Sequence, residues 1–152
     1  MELVWNEWFL EYMTHASGRA PLVGLLLDRL EANHDLLAVR YESPFVTKLY
    51  RYKKSHLSPP DNRPFKRFFL MMFDPAKVRL VYENEIAPLP QEVAAVVPAD
   101  DLYLIELASA TPDKTVVTTD ETLIRRLNGV AGFHVVLVEE FLSYYLPVEP
   151  RN

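Results

Sequence analysis

Three short stretches put oxygen-bearing side chains where an apolar segment stops: Asn6 at the end of "ELVWN", Asp100 and Asp101 in "PADDLYLIELA", and Asp120 in "TVVTTDETLIRRL". Two carboxylates forced together raise each other's pKa unless a cation neutralises them, which is why such pairs bind Mg²⁺ or Mn²⁺. A hard divalent ion held in this way can activate water and stabilise the charge that develops on a phosphate during in-line displacement. Each residue also has a plainer explanation. Asp120 precedes Glu121, Thr122 and Leu123, where its carboxylate can accept from the first free amides of a helix. Asp100 and Asp101 suit a helix start through the macrodipole, and Asn6 suits a turn. Both readings stand at this point.

The elements that must position these residues follow from the apolar pattern. Strands are expected at Glu2 to Asn6, Leu36 to Arg40, Val78 to Tyr82, Thr115 to Thr119 and Phe133 to Val138. Helices are expected at Glu7 to Met13, Pro21 to Glu31, Pro44 to His56, Phe65 to Phe73, Ala99 to Thr111, Glu121 to Leu127 and Glu139 to Leu146. Ser58 to Pro64 carries three prolines and reads as a loop, and Glu83 to Pro98 gives no clear pattern beyond a short helix ended by Pro98. Strands separated by helical segments imply crossovers and a mostly parallel sheet covered on both faces, a three-layer α/β/α fold. In such sheets ligands sit beyond the carboxyl ends of the strands, at a topological switch. Asn6 and Asp120 end strands, and Asp101 opens a helix on that same side.

Composition excludes several function classes. A chain of 152 residues with 49% hydrophobic and 24% charged residues is long enough for one globular domain, here 1–152, and is neither disordered nor built around a bilayer span. With no cysteine there is no disulfide, thiolate catalysis or Cys-based zinc site, and the cytoplasm is the expected compartment. The four histidines are scattered, which disfavours zinc. Four glycines form no phosphate-binding loop, and no nucleophile elbow is present.

The net charge of -5 argues against non-specific coating of nucleic acid. Yet seven of the sixteen basic residues, Lys48, Arg51, Lys53, Lys54, Arg63, Lys66 and Arg67, fall in one segment interleaved with Tyr50, Tyr52, Phe65, Phe68 and Phe69. Phosphate pairing with base stacking could hold an RNA strand there. The alternative is two amphipathic helices with solvated basic faces.

From Pro98 to Leu142 the order Asp101, Ala108, "PDK", "TVV", Asp120, "FHVVLV" and "EEFL" resembles the PIN domain, a family of small α/β/α proteins that includes many ribonucleases and the toxins of bacterial toxin–antitoxin pairs. The resemblance implies a divalent-metal-dependent ribonuclease cutting single-stranded RNA. Asp101 and Asp120 would hold Mg²⁺ or Mn²⁺, Asn6 would assist, and the spacing to Ala108 would turn Asp101 inward. It also implies a homodimer and an antitoxin-like protein partner. The front half departs from the family's chemistry, with Asn6 where the first Asp stands and Lys48 or Thr47 where a Glu stands. The alternative it implies is a degenerate module that binds RNA or a protein without cutting. Glu7 or Glu42 could replace a missing acid, whereas Lys48 is expected to pair with Asp101 or Asp120.

Overall fold

Successive residues of a strand face opposite sides of a sheet, and here that alternation divides the core in two. The computed structural model describes residues 1–14, 17–56 and 63–146. Its elements are β1 (Glu2–Trp5), α1 (Trp8–Tyr12), α2 (Ala20–Ala32), β2 (Leu36–Arg40), α3 (Pro44–His56), α4 (Arg63–Met71), β3 (Val78–Val81), α5 (Gln91–Ala94), α6 (Leu102–Ser109), β4 (Thr115–Thr118), α7 (Glu121–Leu127), β5 (His134–Leu137) and α8 (Val138–Tyr145). Leu3, Trp5, Leu37, Val39, Val117 and Val136 pack against α1 to α4 and α8. Val4, Ala38, Val116 and Val135 pack against α5 to α7. The chain is therefore a three-layer α/β/α fold, and every strand pair in its five-stranded sheet is parallel.

The strand order is β3-β2-β1-β4-β5. Crossovers between parallel strands keep one hand, so when the order reverses at β1 the connecting helices must change faces. The helices from α2 to α4 lie on one face while the chain moves outward from β1 to β3, and α5 to α7 lie on the other once it returns to β4 and β5. The reversal leaves the gap between the carboxyl ends of β1 and β4 uncovered by a connection. Asn6 and Asp120 border that gap.

Most boundaries agree with the sequence pattern, and the differences have local causes. The fourth helix starts at Arg63 rather than Phe65, because Pro64 in a first turn forfeits no hydrogen bond that the helix could have made. Ser58 to Asn62 of the expected loop lie outside the described residues. The unclear section holds a 3₁₀ turn at Glu83–Glu85 and the one-turn α5, followed by a second 3₁₀ turn at Ala99–Asp101 before α6. Among the described residues no helix is long and apolar enough to cross a membrane.

One buried polar group ties the last helix to the sheet. Asp35, 5% exposed, accepts from the Tyr145 hydroxyl at 2.7 Å and from the Met1 amino group at 2.6 Å. Burial would raise its carboxyl, but these donors together hold it below the ordinary value of 3.8. A lowered carboxylate stabilises the fold above the unfolded pKa, and that stabilisation is lost as pH falls through the folded one. Tyr145→Phe should therefore lower stability by about 1.5–3 kcal/mol at pH 7, the range for hydrogen bonds to charged groups. The deficit should shrink below about pH 3.8 as Asp35 protonates. Urea unfolding at both pH values measures this, and an equal deficit at each would mean that the hydroxyl contributes independently of the charge on Asp35.

Candidate acidic site at the switch point

The two strand ends and one helix start converge as the topology requires, but their side chains differ in what they do. Asp120 follows β4 in extended conformation, and its Oδ1 accepts from the amides of Thr122 at 2.9 Å and Leu123 at 3.2 Å. Its own amide donates to the hydroxyl of fully buried Thr118 at 3.1 Å, which fixes the turn. One carboxylate oxygen is thus committed to the cap of α7.

Asp101 sits at the N-cap of α6 without making a side-chain cap hydrogen bond. Its carboxyl instead meets that of Asp120. Burial first, then the charge of Asp120 and a hydrogen bond between the two groups, and then the charge of Asp100 push the Asp101 carboxyl above its ordinary value of 3.8. Asp101 and Asp120 therefore form a close pair, half-buried, contributed by two elements on the same side of the sheet. Asp100 is exposed and takes no part beyond its charge.

Tyr103, two positions along α6, is half-buried beside this pair. Burial first, then the charges of Glu7 and Asp101, raise its hydroxyl well above the ordinary value. The negative charge of Glu7 thus reaches into the same region from the start of α1.

Glu7 is nevertheless taken up by Lys48. The Lys48 ammonium lies 2.5 Å from Glu7 Oε2, with both side chains partly exposed. This corrects the expectation that Lys48 pairs with Asp101 or Asp120. It lies on α3, which packs on the face of α1, whereas Asp101 opens α6 on the opposite face, so Glu7 is the acid within its reach. Asn6 is also committed, since its Oδ1 accepts from the Glu7 amide at 2.6 Å. Glu42 is exposed, in a left-handed conformation with φ of 58°, and lines a separate groove. Below the gap the two indoles differ: Trp8 Nε1 donates to Val117 O at 2.8 Å, whereas buried Trp5 Nε1 has no partner among the described residues.

The basic segment divides in the same manner. Arg67 pairs with Asp28 at 2.7 Å and Glu31 at 3.3 Å, and Lys53 lies over the Phe69 ring at 4.6 Å. Lys54, Arg63 and Lys66 are exposed, and Arg51 lines the groove beside α3. Phe65 and Phe68 are buried in the core, so those rings serve packing. Sequence reasoning missed Tyr41 and Tyr82, whose rings meet at 5.2 Å beyond the ends of β2 and β3. Their signal was an aromatic residue closing the expected strand at Tyr82 and another directly after the strand that ends at Arg40.

Among the described residues no group of three or more His, Asp or Glu side chains is placed to hold a metal ion. A pair still suits Mg²⁺, which keeps several waters and is commonly held by one or two carboxylates together with substrate phosphates. The donor set fits that ion and not a fully protein-enclosed one. No family model matches the sequence, and no curated protein or solved structure matches it either.

Proposed function

We propose that the protein is a PIN-like ribonuclease that uses Mg²⁺ or Mn²⁺ held by Asp101 and Asp120 to cut single-stranded RNA. The observation that carries this reading is the approach of two carboxyl groups, from the start of α6 and the end of β4, in the gap where the strand order reverses. Like charges that act on one another in this way oppose folding unless a proton or a cation offsets them. The ion would supply charge stabilisation at the phosphate and a more acidic water.

The chain's own residues have narrower tasks. Asp120 is oriented by the two amides it accepts from, which fixes the plane of its carboxylate. Asp101 faces it from a helix whose buried side, Leu104, Ile105, Leu107 and Ala108, is anchored on the sheet. Asn6, turned onto its neighbour's amide, shapes the rim of the gap.

A second reading has its own support. The Lys48–Glu7 ion pair neutralises the third acid of the region, as expected of a module that binds RNA or a protein partner without cutting. Mn²⁺ titration by calorimetry, together with cleavage of a labelled single-stranded RNA, separates the two readings. The ribonuclease reading expects metal binding and metal-dependent cleavage in the wild type, and at least a hundredfold slower cleavage in Asp101→Asn. A wild type that neither binds Mn²⁺ nor cuts overturns the ribonuclease reading in favour of the module.

A further inference from the structure

Beyond the acidic gap, the carboxyl ends of β2 and β3 carry a second feature. Tyr41 and Tyr82 follow these strands, stand with their ring centroids 5.2 Å apart at 42°, and are each 48% exposed. Aromatic rings normally gain by burial, so two adjoining tyrosines presented to solvent at the mouth of a parallel sheet offer two exposed ring faces inclined to one another. Tyr41 also forms one wall of a groove of about 620 Å³ whose other wall is α3. Along that helix Thr47, Tyr50, Arg51 and Lys54 recur at intervals of three and four residues, so they form one stripe facing the groove. Tyr50 is half exposed and steadied edge-on by Phe69 at 5.8 Å. The stripe starts next to Lys48, whose partner Glu7 borders the acidic gap.

The charges are divided between the two sides of Tyr41. Arg51 and Lys54 lie on the α3 side, whereas Glu83 and Asn84 lie on the Tyr82 side together with Arg40, whose charge is taken up by Glu106 at 2.8 Å, and Glu42 touches both. A polyanion can follow the first side only, and an uncharged planar group suits the second. A single-stranded nucleic acid has both parts, with phosphates along one edge and bases along the other.

We propose that Tyr41 and Tyr82 form a base-stacking subsite for single-stranded RNA, whose phosphates run along Arg51 and Lys54 toward the acidic gap. This rests on the reading of the protein as one that acts on or binds RNA, and it is independent of whether the acidic pair holds a metal. The aromatic pair supplies a sequence-tolerant contact, and the α3 stripe sets the direction of the strand.

The test is fluorescence anisotropy with a fluorescein-labelled single-stranded RNA decamer in EDTA, so that no cleavage occurs. Tyr41→Ala with Tyr82→Ala should raise Kd about tenfold or more, the scale expected when one stacked base is lost. Tyr41→Phe with Tyr82→Phe should restore binding, since the ring and not the hydroxyl stacks. Lys54→Ala should flatten the dependence of log K on log salt by about 0.7, the value for one phosphate of a single strand. In an Asp101→Asn background the double alanine change should cost the same factor in Kd, which keeps failure of the metal site distinct from failure of this subsite. Equal affinity of the double alanine variant and the wild type would overturn the inference, as would a wild type that does not bind the decamer.

Discussion

Asp120→Asn should abolish the response to Mn²⁺ while leaving stability nearly unchanged, whereas Asp120→Ala should lose both. The reason lies in the two tasks of one carboxylate, the cap it makes and the metal that the proposed function assigns to it. Its Oδ1 accepts from the amides of Thr122 and Leu123, and an amide oxygen can do the same, since Asn and Asp rank together at N-caps. Removing the charge forfeits its attraction to the start of α7, about 0.3–1 kcal/mol, but relieves the repulsion from Asp101. These terms oppose one another. Alanine has no acceptor, so it should cost about 1 kcal/mol, or roughly 2–4 °C in Tm for a chain of this size.

The pH dependence should change as well. The carboxyl of Asp101 is raised in the fold, so its contribution to stability is complete below about pH 3.8 and is lost as pH rises through its folded pKa. Without the charge of Asp120 that loss should be smaller. Thermal melts of wild type and both variants from pH 3 to 7, with and without Mn²⁺, read all of this. An asparagine variant as unstable as the alanine one, still bound by Mn²⁺, would make the charge of Asp120 structural and remove it from the site.

Phe9→Ala should be the most damaging single truncation near the site, costing about 3–5 kcal/mol. The ring is fully buried and sits 4.6 Å from Trp5 and 4.8 Å from Phe68, in edge or tilted contacts that aromatic pairs favour. It joins β1, α1 and α4 in one cluster, so no neighbour can close the space without moving an element. Against a total stability of about 5–15 kcal/mol, this is a large share. Urea unfolding should show a lower midpoint at unchanged slope. Leu25→Ala, at a position 57% exposed on α2, should stay within about 0.5 kcal/mol and serves as the control. Because α1 starts directly after Asn6 and Glu7, the Phe9 variant should also loosen the rim of the acidic gap. A midpoint shift no larger than that of the control would show that the aromatic cluster can repack.

Much of the fold was legible because its signals are local. The runs in β1, β2, β4 and β5 are apolar on both faces, as strands buried under two helical layers must be, and Pro21 and Pro44 lie in the first turns of α2 and α3. Asp120 could be read as a cap and as a carboxylate beside a strand end, and it has both surroundings. Glu83 to Pro98 was legible only as one short helix, found as α5 but ending at Ala94 rather than at Pro98, since one-turn helices and 3₁₀ turns bury too few residues to leave a period. The start of α4 was misplaced because a proline was read as a break when it lay in a first turn.

Side-chain pairing belongs to a different level. Nothing in the spacing of Glu7 and Lys48 announces their ion pair, which exists because α1 and α3 share one face of the sheet. The same holds for Tyr41 and Tyr82, which meet because β2 and β3 are neighbours in register, with Arg40 opposite Val81. By itself, then, the sequence determined the alternation of strands and helices, the α/β class and the short set of acids able to meet at the strand ends, since periodicity and chain order carry these. Only the tertiary structure decided which of those acids face each other, which is neutralised by a lysine and which aromatics remain in solvent, because those outcomes depend on helices far apart in the chain being pressed onto a common layer.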